Sequence, residues 1–131
     1  MKIGIVGLGF VGLSLTSMLA SKGFNTVGID IDKEKCKKIS NGIPPFFEPD
    51  LEKTLKNGLK KKLQISYDFS LINDCDLIFV TVGTPQSANG AIDLSIIKKA
   101  VAKASASAAV LEVTLTCKYL LALFPVLGLN I

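Results

Sequence analysis

The stretch "KIGIVGLGFVG" places Gly4, Gly7, Gly9 and Gly12 within the first twelve residues, and it constrains the fold more than any other feature of the chain. Glycine loses more backbone freedom on folding than any other residue. A cluster of it is tolerated where the backbone must turn sharply or where something must approach it closely. The flanks are not those of a flexible loop. "KIGIV" (2–6) is a short β-branched run, and "FVGLSLTSMLASKG" (10–23) has apolar residues at helical spacing and stops at Gly23, a natural C-terminal cap. The cluster therefore reads as a strand-to-helix turn. An export signal is the competing reading, since Lys2, an apolar stretch and "MLASKG" have the outline of one. Four glycines weaken a signal helix, however, and a single lysine is a thin basic region.

The rest of the chain alternates strand and helix. "FNTVGID" (24–30) reads as a strand, and "DKEKCKKISNG" as a helix from an Asp32 N-cap to Gly42. "IPPFFEP" (43–49) is broken by Pro44, Pro45 and Pro49, after which Asp50 caps a third helix, "LEKTLKNGLKKK" (51–62). A short strand, "LQIS" (63–66), follows. "CDLIFVTVG" (75–83) is a near-continuous apolar run, as expected of a parallel strand buried on both faces. "TPQSANGAIDLS" (84–95) reads as a loop, "IIKKAVAKASASA" (96–108) as a helix and "AVLEVTLT" (109–116) as a last strand. Strands separated by helices call for right-handed crossovers. The expected fold is α/β: a Rossmann-like, doubly wound parallel sheet of about five strands with helices on both faces.

Composition narrows the function classes. At 131 residues the chain is long enough for one buried core, and a hydrophobic fraction of 49% excludes disorder. No 18-residue run is free of charge or turn signals, so no membrane span is expected. The net charge of +4 is mild, and its positive part gathers in "KNGLKKKL" (56–63). Without interleaved aromatics this is a solvated helix end rather than a nucleic-acid patch, because lysine is favoured near a helix C-terminus. Cys36, Cys75 and Cys117 are odd in number and lack metal-type spacing, and histidine is absent. No metal site or disulfide framework is expected, and a reducing, cytoplasmic setting is.

Gly7, Gly9 and Gly12 form G-x-G-x-x-G, a weak motif alone. It is much stronger directly after a strand, at the start of a helix, and with an acid ending the next strand. Gly7 then permits the tight turn, Gly9 lets a pyrophosphate approach the backbone, and Gly12 lets helix pack on strand. The helix N-terminus near Phe10 would hold the phosphates. Asp30 lies close to the expected spacing of about 20 from the motif, where a carboxylate binds ribose hydroxyls and selects NAD over NADP. Asp32 competes for that role but has structural work as an N-cap. The bland alternative is a tight turn with an incidental aspartate.

Two later segments, "NGIPPFFEPDLEKTL" (41–55) and "VTVGTPQSANGAIDLS" (80–95), join "GLGFVGLSL" and "GIDID" in the right order across residues 1 to 100. Together the four resemble the N-terminal domain of the UDP-glucose/GDP-mannose dehydrogenase family. The resemblance implies NAD-dependent oxidation of a nucleotide-sugar C6 alcohol to the carboxylate in two hydride transfers. It places Phe10, Val11 and Gly12 at the pyrophosphate, Asp30 at the ribose and Lys35 near the adenosine, although Lys35 also reads as a solvated helix lysine. Gly83, Thr84 and Pro85 would lie beside the cofactor at the C-terminal edge of the sheet. "EVT" (112–114) resembles the family's E-S-T segment, with Thr114 near the nicotinamide. Val113 for serine, and Gln86 for the usual threonine, are departures. Glu48 and Pro49 shape their loop.

After Thr116 the resemblance ends, and "CKYLLALFPVLGLNI" (117–131) reads as a divergent apolar tail beyond a domain of residues 1–116. A frameshift or premature stop would produce such an end. The family's nucleophilic cysteine and its sugar-binding domain would lie beyond it, so no catalytic residue is assigned, and the chain alone is expected to bind NAD without completing the oxidation. Expected partners are NAD, a nucleotide sugar once the missing domains are supplied, and a second copy of the chain. The rival is a stand-alone NAD-binding or partner-binding module.

Overall fold

The computed structural model describes residues 1–83 and the backbone of 109–111. Among the described residues five parallel strands form one sheet: β1 (Lys2–Val6), β2 (Asn25–Ile29), β3 (Leu63–Ser66), β4 (Leu77–Val80) and β5 (Ala109–Leu111), ordered β3-β2-β1-β4-β5. Helix α1 (Phe10–Ser21) links β1 to β2, and α2 (Lys33–Ser40) and α3 (Leu51–Lys61) link β2 to β3. The chain winds outward from β1 to β3, then returns to place β4 on the other side of β1. That reversal is the topological switch point at which open α/β sheets bind ligands, outside the carboxyl ends of the strands. Register sharpens the position. Val6 pairs with Ile29 on one side and Val80 on the other, so Gly7, Asp30 and Thr81 leave the sheet at one level.

Period-2 alternation divides the strand side chains between two faces. Ile3 and Ile5 of β1 and Phe79 of β4 meet Leu15 and Leu19 of α1, and every one of these is buried. Val6, Val27, Ile29, Ile78 and Val80 point the other way, onto Ile72 and Cys75. Ile72 closes a single 3₁₀ turn, Phe69–Ile72, which the sequence reading did not anticipate. Its Asp68 carboxylate accepts from Ser70 N–H at 2.9 Å, a local turn whose signal is only four residues long. A third cluster, including Leu13, Ile39, Leu51, Leu55 and Leu63, seals α1, α2 and α3 to one another. The α1–α3 crossing is close at Gly58, where a Cβ would lie 3.0 Å from the Ala20 methyl.

The helix ends follow the expected chemistry with one exception. Gly23 (φ +99°) and Gly42 (φ +77°) are left-handed. In each case the glycine N–H and the next N–H donate back to the last turn: Gly23 to Ala20 and Phe24 to Leu19, then Gly42 to Ile39 and Ile43 to Lys38. These are complete Schellman motifs. Asp32 caps α2, accepting from Lys35 N–H at 3.0 Å. Asp50 is the exception, since it occupies the N-cap of α3 at φ 61° and its side chain makes no capping bond. Side-chain capping needs extended backbone at that position. Here the Asp50 carbonyl starts the helix by accepting from Thr54 N–H at 2.9 Å. β4 is shorter than the run 75–83, although Asp76 N–H and Thr81 N–H at its two ends still donate to Lys2 O and Val6 O of β1. The expected loop 84–95 and helix 96–108 lie outside the described residues, as does the last strand beyond residue 111.

Candidate dinucleotide-binding site

The three motif glycines sit in three different environments. Gly7 has φ +95°, and a Cβ there would meet Val82 at 2.9 Å and the Thr81 backbone at 3.0 Å. Only glycine takes that turn without strain. At Gly12 a Cβ would fall 1.9 Å from the Gly7 carbonyl oxygen and 2.4 Å from Thr81 Oγ1, so α1 lies directly on the turn. At Gly9, by contrast, an added Cβ would have no neighbour within 4 Å among the described residues, which leave open space over the backbone.

Gly9 is also the N-cap of α1, so this helix has no capping side chain, and its first turn carries no acid. Leu13 N–H makes the first helical bond, to Gly9 O at 2.9 Å. The N–H groups of Phe10, Val11 and Gly12 therefore project from the open end without intrahelical partners. Helix α2 carries Glu34 and the Asp32 cap at its N-terminus, and α3 carries Glu52. The positive end of the α1 dipole is left for an anion from outside the chain.

Asp30 leaves β2 on the level of Gly7 and is only 7% exposed. Its Oδ2 accepts from Leu8 N–H at 2.8 Å and from Lys35 Nζ at 2.8 Å, and its Oδ1 accepts from Asp32 N–H at 3.0 Å. Burial alone would push this carboxyl up. The Lys35 ammonium and the two N–H groups outweigh burial and hold it below its ordinary value of 3.8. Asp30 thus tethers the glycine turn through Leu8. Lys35 is no free solvated lysine, because its ammonium is half-buried on Asp30.

Gly83 lies exposed beyond β4, with no described residue within 4 Å of where its Cβ would be. Phe10 is 56% exposed and Val11 partly so. Thr84, Pro85 and Thr114 lie outside the described residues. Several groups around the turn gave no sign in the sequence of their places there. Thr81 Oγ1 donates to Gly7 O at 2.7 Å, pinning the turn to the strand across the switch point. The proline-rich loop folds over α1: Phe46 lies 5.0 Å from Phe10, ring to ring, and Glu48 accepts from Ser14 Oγ at 2.6 Å. These contacts span 34 to 74 positions in the chain, and no local pattern encodes such pairs.

A parallel sheet with its switch point beside a glycine turn, an uncapped helix and a buried strand-end acid defines a doubly wound dinucleotide-binding domain. Residues 1–115 match the model of the UDP-glucose/GDP-mannose dehydrogenase family, NAD binding domain, and the chain belongs to that family. It is 41% identical over 100 residues to a GDP-mannose 6-dehydrogenase of Pseudomonas syringae pv. tomato, covering 75% of this chain and 23% of that protein. It is 39% identical over 101 residues to the UDP-glucose 6-dehydrogenase TuaD of Bacillus subtilis, covering 76% and 22%. Among solved structures, a ternary complex of GDP-mannose dehydrogenase from Pseudomonas aeruginosa superposes with a TM-score of 0.80 at 29% identity, over 98% of this chain and 32% of that one. The chain thus spans under a third of the length of these relatives. NAD is the cofactor of the domain it represents.

Proposed function

We propose that this chain supplies the NAD-binding domain of a nucleotide-sugar 6-dehydrogenase, an enzyme that oxidises a sugar C6 alcohol to the carboxylate. The observation that carries the reading is the uncapped end of α1 at Gly9, with Asp30 leaving the sheet level with Gly7. The pyrophosphate is assigned to the N–H groups of Phe10, Val11 and Gly12, with Gly9 allowing close approach and Gly7 setting the turn. Asp30 is assigned to the adenosine ribose and Lys35 to a position near the adenosine. Gly83, Thr84 and Pro85 are assigned to the cofactor edge beyond β4, and Thr114 to the nicotinamide. When bound, the nicotinamide accepts a hydride; the residues named here bind and orient it.

Neither described cysteine is suited to nucleophilic work. Cys36 and Cys75 are buried free thiols, and burial pushes both upward from the ordinary thiol value. The nucleophile and the nucleotide-sugar pocket are therefore assigned to chain outside residues 1–116, the extent proposed for this domain. Two reduced, buried thiols also support a cytoplasmic setting. Among the described residues no helix is long and apolar enough to cross a membrane. A second copy of the chain remains the proposed protein partner.

Calorimetric titration of the chain with NAD tests the reading, run beside Gly9→Val. The expected result is binding by the parent chain and a loss of at least about tenfold in the variant, because the new side chain fills the space over the phosphates. Equal binding by a folded Gly9→Val chain would overturn it.

A further inference from the structure

We infer that Lys35 sets how strongly this site rejects a 2′-phosphorylated dinucleotide, an inference that rests on the NAD reading above. A carboxylate offers about four acceptor positions. Three of Asp30's are filled, by Leu8 N–H, Lys35 Nζ and Asp32 N–H, so a ribose hydroxyl has one direct approach, on Oδ1. Anything carried on the ribose 2′ position then lies within a few ångströms of both the carboxylate and the ammonium 2.8 Å from it.

That neighbourhood is not simply anionic. A bare strand-end acid repels a 2′-phosphate, whereas a nearby cation accommodates one. This site holds both, locked to each other. The Lys35 side chain is 29% exposed, against 8% for that of Asp30, so the lysine is the more open member of the pair. Two neighbouring groups at this end of α2 have separate partners: Lys33 Nζ lies 4.8 Å over the Tyr67 ring, and the Asp32 carboxylate caps Lys35 N–H, while Glu34 adds a further negative charge in the first turn. The Asp30–Lys35 pair thus tempers the charge that a 2′-phosphate meets. Removing the lysine leaves the acid bare and sharpens the preference for NAD. Removing the acid's charge frees the lysine for the phosphate.

The test titrates the 131-residue chain, Lys35→Met, Asp30→Asn and the double variant with NAD and with NADP, each checked for folding by a thermal melt. Lys35→Met should raise the NAD-over-NADP ratio about tenfold, mainly by weakening NADP, as expected for one partly exposed charge beside a phosphate. Asp30→Asn should bind NADP about tenfold more tightly than the parent, and the double variant should lose that gain. An unchanged ratio in Lys35→Met would overturn the inference, and so would a gain in Asp30→Asn that persists in the double variant. If Asp30→Asn does not fold, the Lys35→Met ratio decides alone. A parent chain that binds no NAD would overturn the proposed function and this inference with it. A parent that binds NAD with a ratio insensitive to Lys35 overturns only the inference.

Discussion

Replacing Gly12 with alanine should destabilise the fold although alanine is the better helix former. The new methyl would sit 1.9 Å from the Gly7 carbonyl oxygen and 2.4 Å from Thr81 Oγ1. A carbon and a backbone oxygen need over 3 Å, and a carbonyl inside a turn cannot rotate aside as a flexible side chain would. Relief therefore requires α1 to lift from the turn by roughly 1 Å, against the packing of Leu15 and Leu19 on Ile3 and Ile5. Overpacking of this kind costs about 1–3 kcal/mol. Loss of the Thr81 Oγ1 to Gly7 O bond adds about 1 kcal/mol, and improved helix propensity returns up to about 1 kcal/mol. The balance is a loss of about 1–3 kcal/mol. With a urea dependence of about 1.5 kcal/mol per molar, the unfolding midpoint should fall by about 1–2 M. Gly9→Ala provides the control, since its methyl meets no described residue within 4 Å; its midpoint should stay within a few tenths of a molar. Urea titration followed by circular dichroism measures both. Equal midpoints for Gly12→Ala and the parent would refute the close-packing argument, and a large fall for Gly9→Ala would refute the assignment of open space.

Gly7→Ala should also destabilise, by about 1–2 kcal/mol from the left-handed backbone alone, with the Val82 contact adding to it; a thermal melt reads the change. The Asp30 carboxyl titrates lower in the folded chain than in the unfolded one, whose value is near 3.8. Its contribution is therefore complete above that value and is lost as pH falls through the lower folded value. Acid unfolding of Asp30→Asn should accordingly show a shallower pH dependence below about 4 than the parent, and matching slopes would count against the buried pairing. Glu48→Ala removes the 2.6 Å acceptor of Ser14 Oγ and should lower stability by about 1 kcal/mol in a urea titration. No change there would show that the proline-rich loop is held by Phe46 on Phe10 alone.

Much of this architecture was legible before any contact was known, because its determinants are local. The limits of β1 and β3 matched the strand runs read from apolar spacing, and Gly23 and Gly42 ended their helices with the backbone bonds that left-handed glycine allows. Asp32 read correctly as a cap, since a capping bond spans only three residues. Asp50 did not. The same residue type at the same kind of boundary lies in left-handed backbone, a choice made by the preceding proline-rich loop as it seats Phe46 and Glu48 on α1. The 3₁₀ turn at Phe69–Ile72 was too short to carry a period, and only the need to cover Val6, Val27 and Ile78 gives it a reason.

The order of residues was sufficient to say that a glycine turn joins a strand to a helix, that an acid ends the next strand, and that parallel strands follow. Each statement concerns stereochemistry within a few positions, which the chain carries wherever it goes. What awaited the folded chain is how those parts meet. Register puts Gly7, Asp30 and Thr81 at one level, Asp30 reaches back 22 positions to hold Leu8 N–H, and Thr81 reaches 74 positions to pin the turn. Such meetings follow from the sheet's strand order and from packing between distant segments, and neither leaves a repeating mark on the sequence.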